Sequence, residues 1–179
     1  MKDLAEVSKL LIPESKYELP SSAIHFYMKR KKEYSKETFH TIDSWFEMGI
    51  NNWAHCDGIC VELLKNHIIK KIITPEDIAP WRTSEKKFKR RASLVTMIYF
   101  MKEGIVPKII IDFTEPLMMD KERVVHQGAG WLLRETWKKH PAVTETFLLK
   151  WKDKAPRLIF QYATEKMTTE NKERFRKTK

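Results

Sequence analysis

Cysteine, glycine and proline are all scarce: the chain of 179 residues contains 2, 5 and 8 of them. Two cysteines cannot build a disulfide framework, and so little glycine and proline argues against a glycine-rich β fold or a linker protein. No apolar run approaches the roughly 18 residues of a membrane span. The N-terminal residues MKDLAEVSKLL contain acids and lack the long apolar core of a secretory signal. We therefore expect a cytoplasmic protein with no membrane partner.

The motifs of the common enzyme classes are also missing. The sequence contains no GxSxG, no GxxxxGK[ST], no HExxH and no Rossmann fingerprint. Cys56 and Cys60 lie one helical turn apart beside His55, but no second half-site accompanies them. We interpret these thiols as core residues and expect no metal site.

Positive charge is what the chain has in excess. It has 34 lysines and arginines against 24 aspartates and glutamates, a formal net charge of +10. This balance favours an anionic partner, most simply nucleic acid.

Helical periodicity runs through nearly the whole chain, and no NG or DG hairpin signal occurs. The segment Ile105–Met119 is ambiguous, since its KIIIDF core has a strand-like composition. No second strand is visible to pair with it, so we predict a short helix within a longer connection. The predicted helices are Lys2–Ile12, Ser21–Lys32, Lys36–Gly49, Asn52–Ile68, Pro75–Trp81, Glu85–Glu103, Asp120–His140, Ala142–Asp153 and Pro156–Met167.

Short helices joined by short turns are typical of an α-solenoid. The internal repeat is irregular, and HEAT-type repeats of roughly 40 residues tolerate such divergence. We therefore predict an all-α solenoid of HEAT-like antiparallel helix pairs, forming a single domain over residues 1–167. The polar, basic tail, residues 168–179, is expected to fray.

Two charged residues interrupt apolar helix faces. Asp57 falls within the apolar arc of Asn52–Ile68, which also contains Trp53, and Arg91 falls within the apolar arc of Glu85–Glu103. A carboxylate in such a place is costly unless it is paired, hydrogen-bonded or lines a cleft. The pattern allows two interpretations: a buried structural ion pair between Asp57 and Arg91, or a functional cleft.

Trp131 shows the opposite anomaly. In Asp120–His140 it points away from the apolar face, towards polar neighbours such as Gln127 and Arg134. Such a tryptophan can pack against a neighbouring repeat or act as a stacking platform.

Two basic clusters complete the pattern. Arg82–Arg91 holds six basic side chains and one acid, and Lys29–Lys36 holds five and one. Either cluster alone could be a solvated face, but together with the net charge they favour a groove that follows phosphates.

Several of these residues lie in runs that resemble a known family. NNWAHCDGIC (51–60), FKRRASL (88–94) and QGAGWLLRE (127–135), followed by HPAVTETFL and APRLIFQYATEKM, resemble the bacterial DNA alkylation repair family of the AlkD type over about residues 35–167. The resemblance implies a HEAT-like solenoid whose basic concave face cradles duplex DNA. It also implies N-glycosylase excision of N3- and N7-alkylated purines, with no metal or organic cofactor.

The resemblance assigns roles to the anomalous residues. The family's catalytic aspartate matches Asp57, its tryptophans match Trp53 and Trp131, and its cleft arginine matches Arg91, with Arg90 as the alternative. About 50 residues precede the W-A-x-x-D motif, fewer than the family usually has, so we expect less DNA contact. The residues expected to bind DNA are Lys86, Lys87, Lys89, Arg90, Arg91 and Arg134.

The sequence thus predicts a nucleoid-associated, monomeric repair enzyme. A non-catalytic DNA-binding solenoid and a HEAT-type scaffold for protein partners are the alternatives. A scaffold would lack a basic stripe and would show no salt-sensitive DNA affinity.

Overall fold

The computed structural model describes residues 1–178, and every regular element in that range is a helix. The α-helices are α1 (Lys2–Leu11), α2 (Glu18–Lys29), α3 (Lys36–Met48), α4 (Trp53–Gly58), α5 (Lys65–Ile69), α6 (Pro75–Ile78), α7 (Lys87–Lys102), α8 (Pro107–Thr114), α9 (Arg123–Lys139), α10 (Pro141–Trp151), α11 (Arg157–Ala163) and α12 (Thr169–Glu173). Shorter 3₁₀ turns cover Lys31–Glu33, Ala79–Thr83 and Glu115–Leu117. The prediction of an all-α fold is confirmed.

The helix ends follow local sequence signals. Ser35 and Thr74 each form a capping box with the residue three positions on, Thr38 and Asp77. Gly104, just beyond the end of α7, has φ +92°, a conformation that glycine adopts without steric cost.

One predicted helix contains a different turn type, and the ambiguous segment is a short helix as predicted. The segment predicted as one helix over Asn52–Ile68 contains a π-helix, Ile59–Leu64, between α4 and α5. The π-helix widens the turn and rotates the residues after Gly58 relative to those before it. Residues 108–113, the KIIIDF core, lie in α8, which begins at Pro107, a residue favoured in the first turn.

The described chain divides into two compact units. The first is Met1–Ala92, and the second begins at Ser93. Compact units are not in themselves separate folding domains, so the single domain expected over residues 1–167 stays a prediction.

Within the first unit, contacts between helices that are not consecutive in the chain recur at a nearly constant sequence separation. Ser21 Oγ lies 2.9 Å from His55 Nε2, 34 residues on. Cys56 Sγ donates to the carbonyl of Phe88, 32 residues on, at 3.3 Å. In the second unit, the Gln127 amide donates to Tyr162 Oη, 35 residues on, at 2.9 Å. Such separations are typical of stacked helical repeats; the HEAT-like assignment stays a prediction.

The core of the first unit is aromatic and aliphatic. Tyr27 and Trp45 are fully buried and pack edge to face, with ring centroids 4.8 Å apart. The Trp45 indole donates to Ser8 Oγ at 3.1 Å, so its polar atom is satisfied inside the core.

In the second unit, α9 and α11 approach unusually closely. A Cβ added at Gly130 would lie 2.4 Å from Tyr162 Cβ and 2.7 Å from the Ile159 carbonyl oxygen. Only glycine fits at this position without a shift of the helices.

The segment expected to fray contains regular structure. Residues 168–178 include α12, and Phe175 is fully buried. Arg157 Nη1 donates to the Phe175 carbonyl at 2.6 Å. Polar composition does not indicate this structure, because it depends on a single buried aromatic side chain; fraying of the segment stays a prediction. Lys179 lies outside the described residues.

Lys71, just after α5, is the one described non-glycine residue with positive φ, at 57°. The left-handed conformation costs an L-residue with a side chain roughly 1–2 kcal/mol. Glycine is the usual residue there, so the lysine is retained at a conformational cost.

Candidate active site

Asp57 and Arg91 form a two-point ion pair in the first unit. Arg91 Nε donates to Asp57 Oδ1 at 2.8 Å, and Nη2 donates to Oδ2 at 2.7 Å. The side chain of Arg91 is 7% exposed and that of Asp57 is 15% exposed. The carboxylate is therefore held in a fixed orientation, and a small part of the Asp57 side chain remains accessible.

Local structure places the pair. Asn52 caps α4 by accepting from the His55 backbone N–H at 2.9 Å, and Asp57 lies in the last turn of α4. The thiols on either side of Asp57 contact α7: Cys56 donates to the Phe88 carbonyl at 3.3 Å and Cys60 to the Ala92 carbonyl at 3.7 Å. The two carbonyls belong to residues on either side of Arg91 in the chain. The two thiol contacts therefore align α4 and the π-helix after it with the arginine.

The neighbours of Arg91 favour its charged form. Burial lowers the pKa of the Arg91 guanidinium, but the hydrogen bonds and charge of Asp57 outweigh it, and the net shift is upward. Burial, followed by contact with Cys60, raises the pKa of the Cys56 thiol well above its ordinary value. A thiol held protonated is neither a good nucleophile nor a metal ligand.

His55, although two residues from Asp57, is committed elsewhere. Its Nδ1 lies 2.6 Å from the Asn52 side-chain amide, and its Nε2 lies 3.0 Å from the Tyr17 carbonyl. Its ring stacks on Tyr17 with centroids 4.4 Å apart. Burial lowers its pKa, although the Tyr17 carbonyl acts in the opposite sense. The histidine joins α2 to α4.

Trp53 is not part of the buried face on which its spacing places it. It is the first residue of α4 and is 64% exposed. At the start of a helix, a side chain can project past its neighbours, so the helical arc overstated its burial. An exposed indole one turn before Asp57 offers a flat surface to a partner.

The basic residues at the start of α7 are divided by their contacts. Lys86 and Lys87 are exposed. Arg90 is buried and donates to the carbonyls of Ser84 at 2.7 Å and Glu85 at 3.2 Å, which closes the turn before α7. Of the two candidate cleft arginines, Arg91 is the one that contacts Asp57.

Lys89 is held by acids of α3. Its ammonium lies 2.8 Å from Asp43 and 3.1 Å from Glu47, and its side chain is 12% exposed. Burial lowers the pKa of Lys89, but the hydrogen bonds and charges of Asp43 and Glu47 outweigh it, so the net shift is upward. Its charge is internally compensated, which sequence alone did not indicate.

The cavity beside Lys89 is acidic. It has a volume of about 440 Å³, and its lining includes Asp43, Glu47, Asp77 and Glu85. Four carboxylates repel phosphate, so this cavity does not suit a nucleic-acid backbone.

The second unit holds the remaining predicted residues. Trp131 is half-buried on α9, whose apolar face (Val125, Ala129, Leu132, Leu133 and Thr136) is buried as predicted. Arg134 forms ion pairs with Glu135, at 3.2 Å, and with Glu165. Two neighbouring acids reduce the field that Arg134 presents to an anion.

Within residues 1–178, no group of three or more histidines, cysteines, aspartates or glutamates is arranged to hold a metal ion. None of the described helices is long and apolar enough to cross a membrane.

Comparison with known proteins gives one family match. The sequence model of a family described as DNA alkylation repair enzyme matches residues 2–167. A search of curated proteins found no match.

Proposed function

Because the chain belongs to the DNA alkylation repair enzyme family, we propose that it is an N-glycosylase that excises N3- and N7-alkylated purines from duplex DNA. The observation that carries the proposal is that the partly exposed carboxylate of Asp57 is oriented by Arg91 at two points. The proposed enzyme acts as a monomer without a cofactor, and Trp131 and Arg134 are proposed DNA contacts of the second unit considered by itself.

The proposed chemistry needs a fixed negative charge. An alkylated purine is already cationic and leaves readily, so positive charge develops on the sugar as the glycosidic bond breaks. A carboxylate held in place stabilises that charge without reorganising, and it can also orient the attacking water. Arg91 donates one hydrogen bond to each carboxylate oxygen, which leaves each oxygen a lone pair with which to stabilise the sugar in the proposed reaction.

The neighbouring residues would hold the DNA. The exposed indole of Trp53 can pack against the sugar–phosphate edge and favour cationic character through its π face. Lys86 and Lys87, both exposed, supply charge to phosphates, which set the register of the duplex without reading its sequence.

The test is release of free base from methylated duplex DNA under single-turnover conditions. We expect release by the wild-type chain and a loss of about 10²-fold or more in Asp57→Asn, since one well-placed electrostatic group is worth that much. Duplex binding should weaken steeply with salt. Binding without base release would contradict the proposal.

The ion pair itself also favours a second candidate, a non-catalytic DNA-binding protein. Arg91 already compensates Asp57, which is what a purely structural pair would do. In that case the chain binds methylated duplex DNA but releases no base from it. Asp57→Asn then changes only the stability of the protein.

A further inference from the structure

Two basic segments that are far apart in the sequence meet in the first unit. The Lys70 ammonium donates to the carbonyl of Lys31 and, at 3.2 Å, to that of Lys32. Lys32 and Lys70, which are 38 positions apart, are thereby joined. The 3₁₀ turn Lys31–Glu33 lies against the end of α5. We call Lys29, Arg30, Lys31, Lys32, Lys70 and Lys71 the lysine cluster.

The cluster is only partly compensated by acids. Arg30 pairs with Glu33 at 2.9 Å, and Lys31 lies 3.9 Å from Glu62. Lys29, Lys32 and Lys71 are exposed and have no ion-pair partner among the described residues. A group of cations with few neighbouring acids attracts anions to this part of the surface.

The backbone conformation of Lys71 is a second indication of function. It has φ 57°, a backbone conformation in which glycine is the low-cost choice. A strained backbone conformation at a residue with a charged side chain is often associated with a functional site. The local fold needs no lysine there, because its turn is closed by backbone bonds: Lys71 N–H to the Ile68 carbonyl and Ile72 N–H to the His67 carbonyl, both 2.8 Å.

We propose that the lysine cluster is a second contact surface for the phosphate backbone of duplex DNA, made of residues other than those around Asp57 and Lys86. The proposal rests on the proposed function, since it assumes that the chain binds DNA. Its ligand chemistry is a row of phosphates, because the spread of single charges along two segments follows a backbone rather than enclosing one anion. Through this surface the chain contacts duplex beyond the damaged nucleotide.

The test is the salt dependence of binding to a duplex. In the triple variant Lys29→Gln, Lys32→Gln, Lys71→Gln, we expect the log–log slope to fall by about 0.9 for each lost contact, about 2–3 in all. The matched control is Lys2→Gln, Lys9→Gln, Lys16→Gln, which removes the same charge from exposed positions of the same unit and should leave the slope within one unit of the wild type.

A single substitution separates binding from folding. Lys71→Gly relieves the left-handed backbone, so the melting temperature should be unchanged or higher, while the slope falls by about 0.9. A wild-type slope in this variant and in the triple variant overturns the proposal and leaves the proposed function intact.

Two other outcomes also decide the matter. If the wild-type chain binds no duplex, the proposed function and the lysine cluster fall together. If the triple variant loses binding to vesicles of anionic lipid but keeps its DNA slope, the cluster belongs to a membrane surface and the proposal is wrong.

Discussion

Asp57→Asn is the most informative substitution, because the two interpretations of the Asp57–Arg91 pair predict different results. Asparagine keeps the shape of the side chain and removes its charge. Arg91, whose side chain is 7% exposed, is then left without its carboxylate. Stranding a buried charge costs about 3–5 kcal/mol, and the partial exposure of Asp57 puts this case at the lower end. For a chain of this length each kcal/mol shifts the melting temperature by about 2–4 °C, so we expect a fall of roughly 6–12 °C.

A double variant separates stability from chemistry. In Asp57→Asn, Arg91→Met no charge is stranded, since methionine fills the arginine's space without a polar head. Replacing a buried pair by apolar residues is often neutral or stabilising, so the melting temperature should return to within a few degrees of the wild type. Because the two sites are in contact, their effects on stability should be strongly non-additive.

Base release should not recover in the double variant. If Asp57 stabilises the departing sugar, excision stays about 10²-fold or more below the wild type, although the fold is restored. Melting temperature, duplex binding and single-turnover base release are measured on each of the four proteins of the cycle. A folded, DNA-binding double variant with near wild-type excision would refute the catalytic role of Asp57.

Three further predictions concern the fold. Gly130→Ala should lower the free energy of unfolding by about 1–3 kcal/mol, because its Cβ would lie 2.4 Å from Tyr162 Cβ; an unchanged thermal melt would show that α9 and α11 separate freely. Burial, the largest cause, lowers the pKa of His67 to about 4, so the neutral form is favoured in the folded state. This preference contributes about 3 kcal/mol to the free energy of unfolding. The contribution is present above pH 6.5 and is lost as the pH falls towards 4. If the melting temperature of the wild type falls over this pH range no more than that of His67→Gln, the prediction is wrong. Phe175→Ala should lower the free energy of unfolding by about 3–5 kcal/mol, since Phe175 is fully buried. An unchanged free energy in a denaturant titration would indicate that residues 168–178 are frayed in the wild type.

Local signals in the sequence were sufficient for most of the helical elements, but not for the π-helix or α12. Helix periodicity, the capping residues Ser35 and Thr74, and the stop at Gly104 depend only on neighbours within one or two turns. Asp57 and Arg91 also stood out, because a charge within an apolar arc is visible without tertiary structure.

The sequence offered Asp57 and Arg91 as a possible pair, but only the tertiary structure showed that they meet and that Lys89 pairs with Asp43 and Glu47. Which acid meets Arg91 or Lys89 depends on the register between stacked helices, and a π-helix after Gly58 changes that register. The same holds for the meeting of Lys70 with Lys31, across 39 residues. Periodicity identifies which face of a helix is buried, but the neighbour on that face is set by packing over the whole unit. This is why the sequence indicated the catalytic candidates, and only the folded chain showed Lys89 and Arg90 turned inward and the lysine cluster turned to solvent.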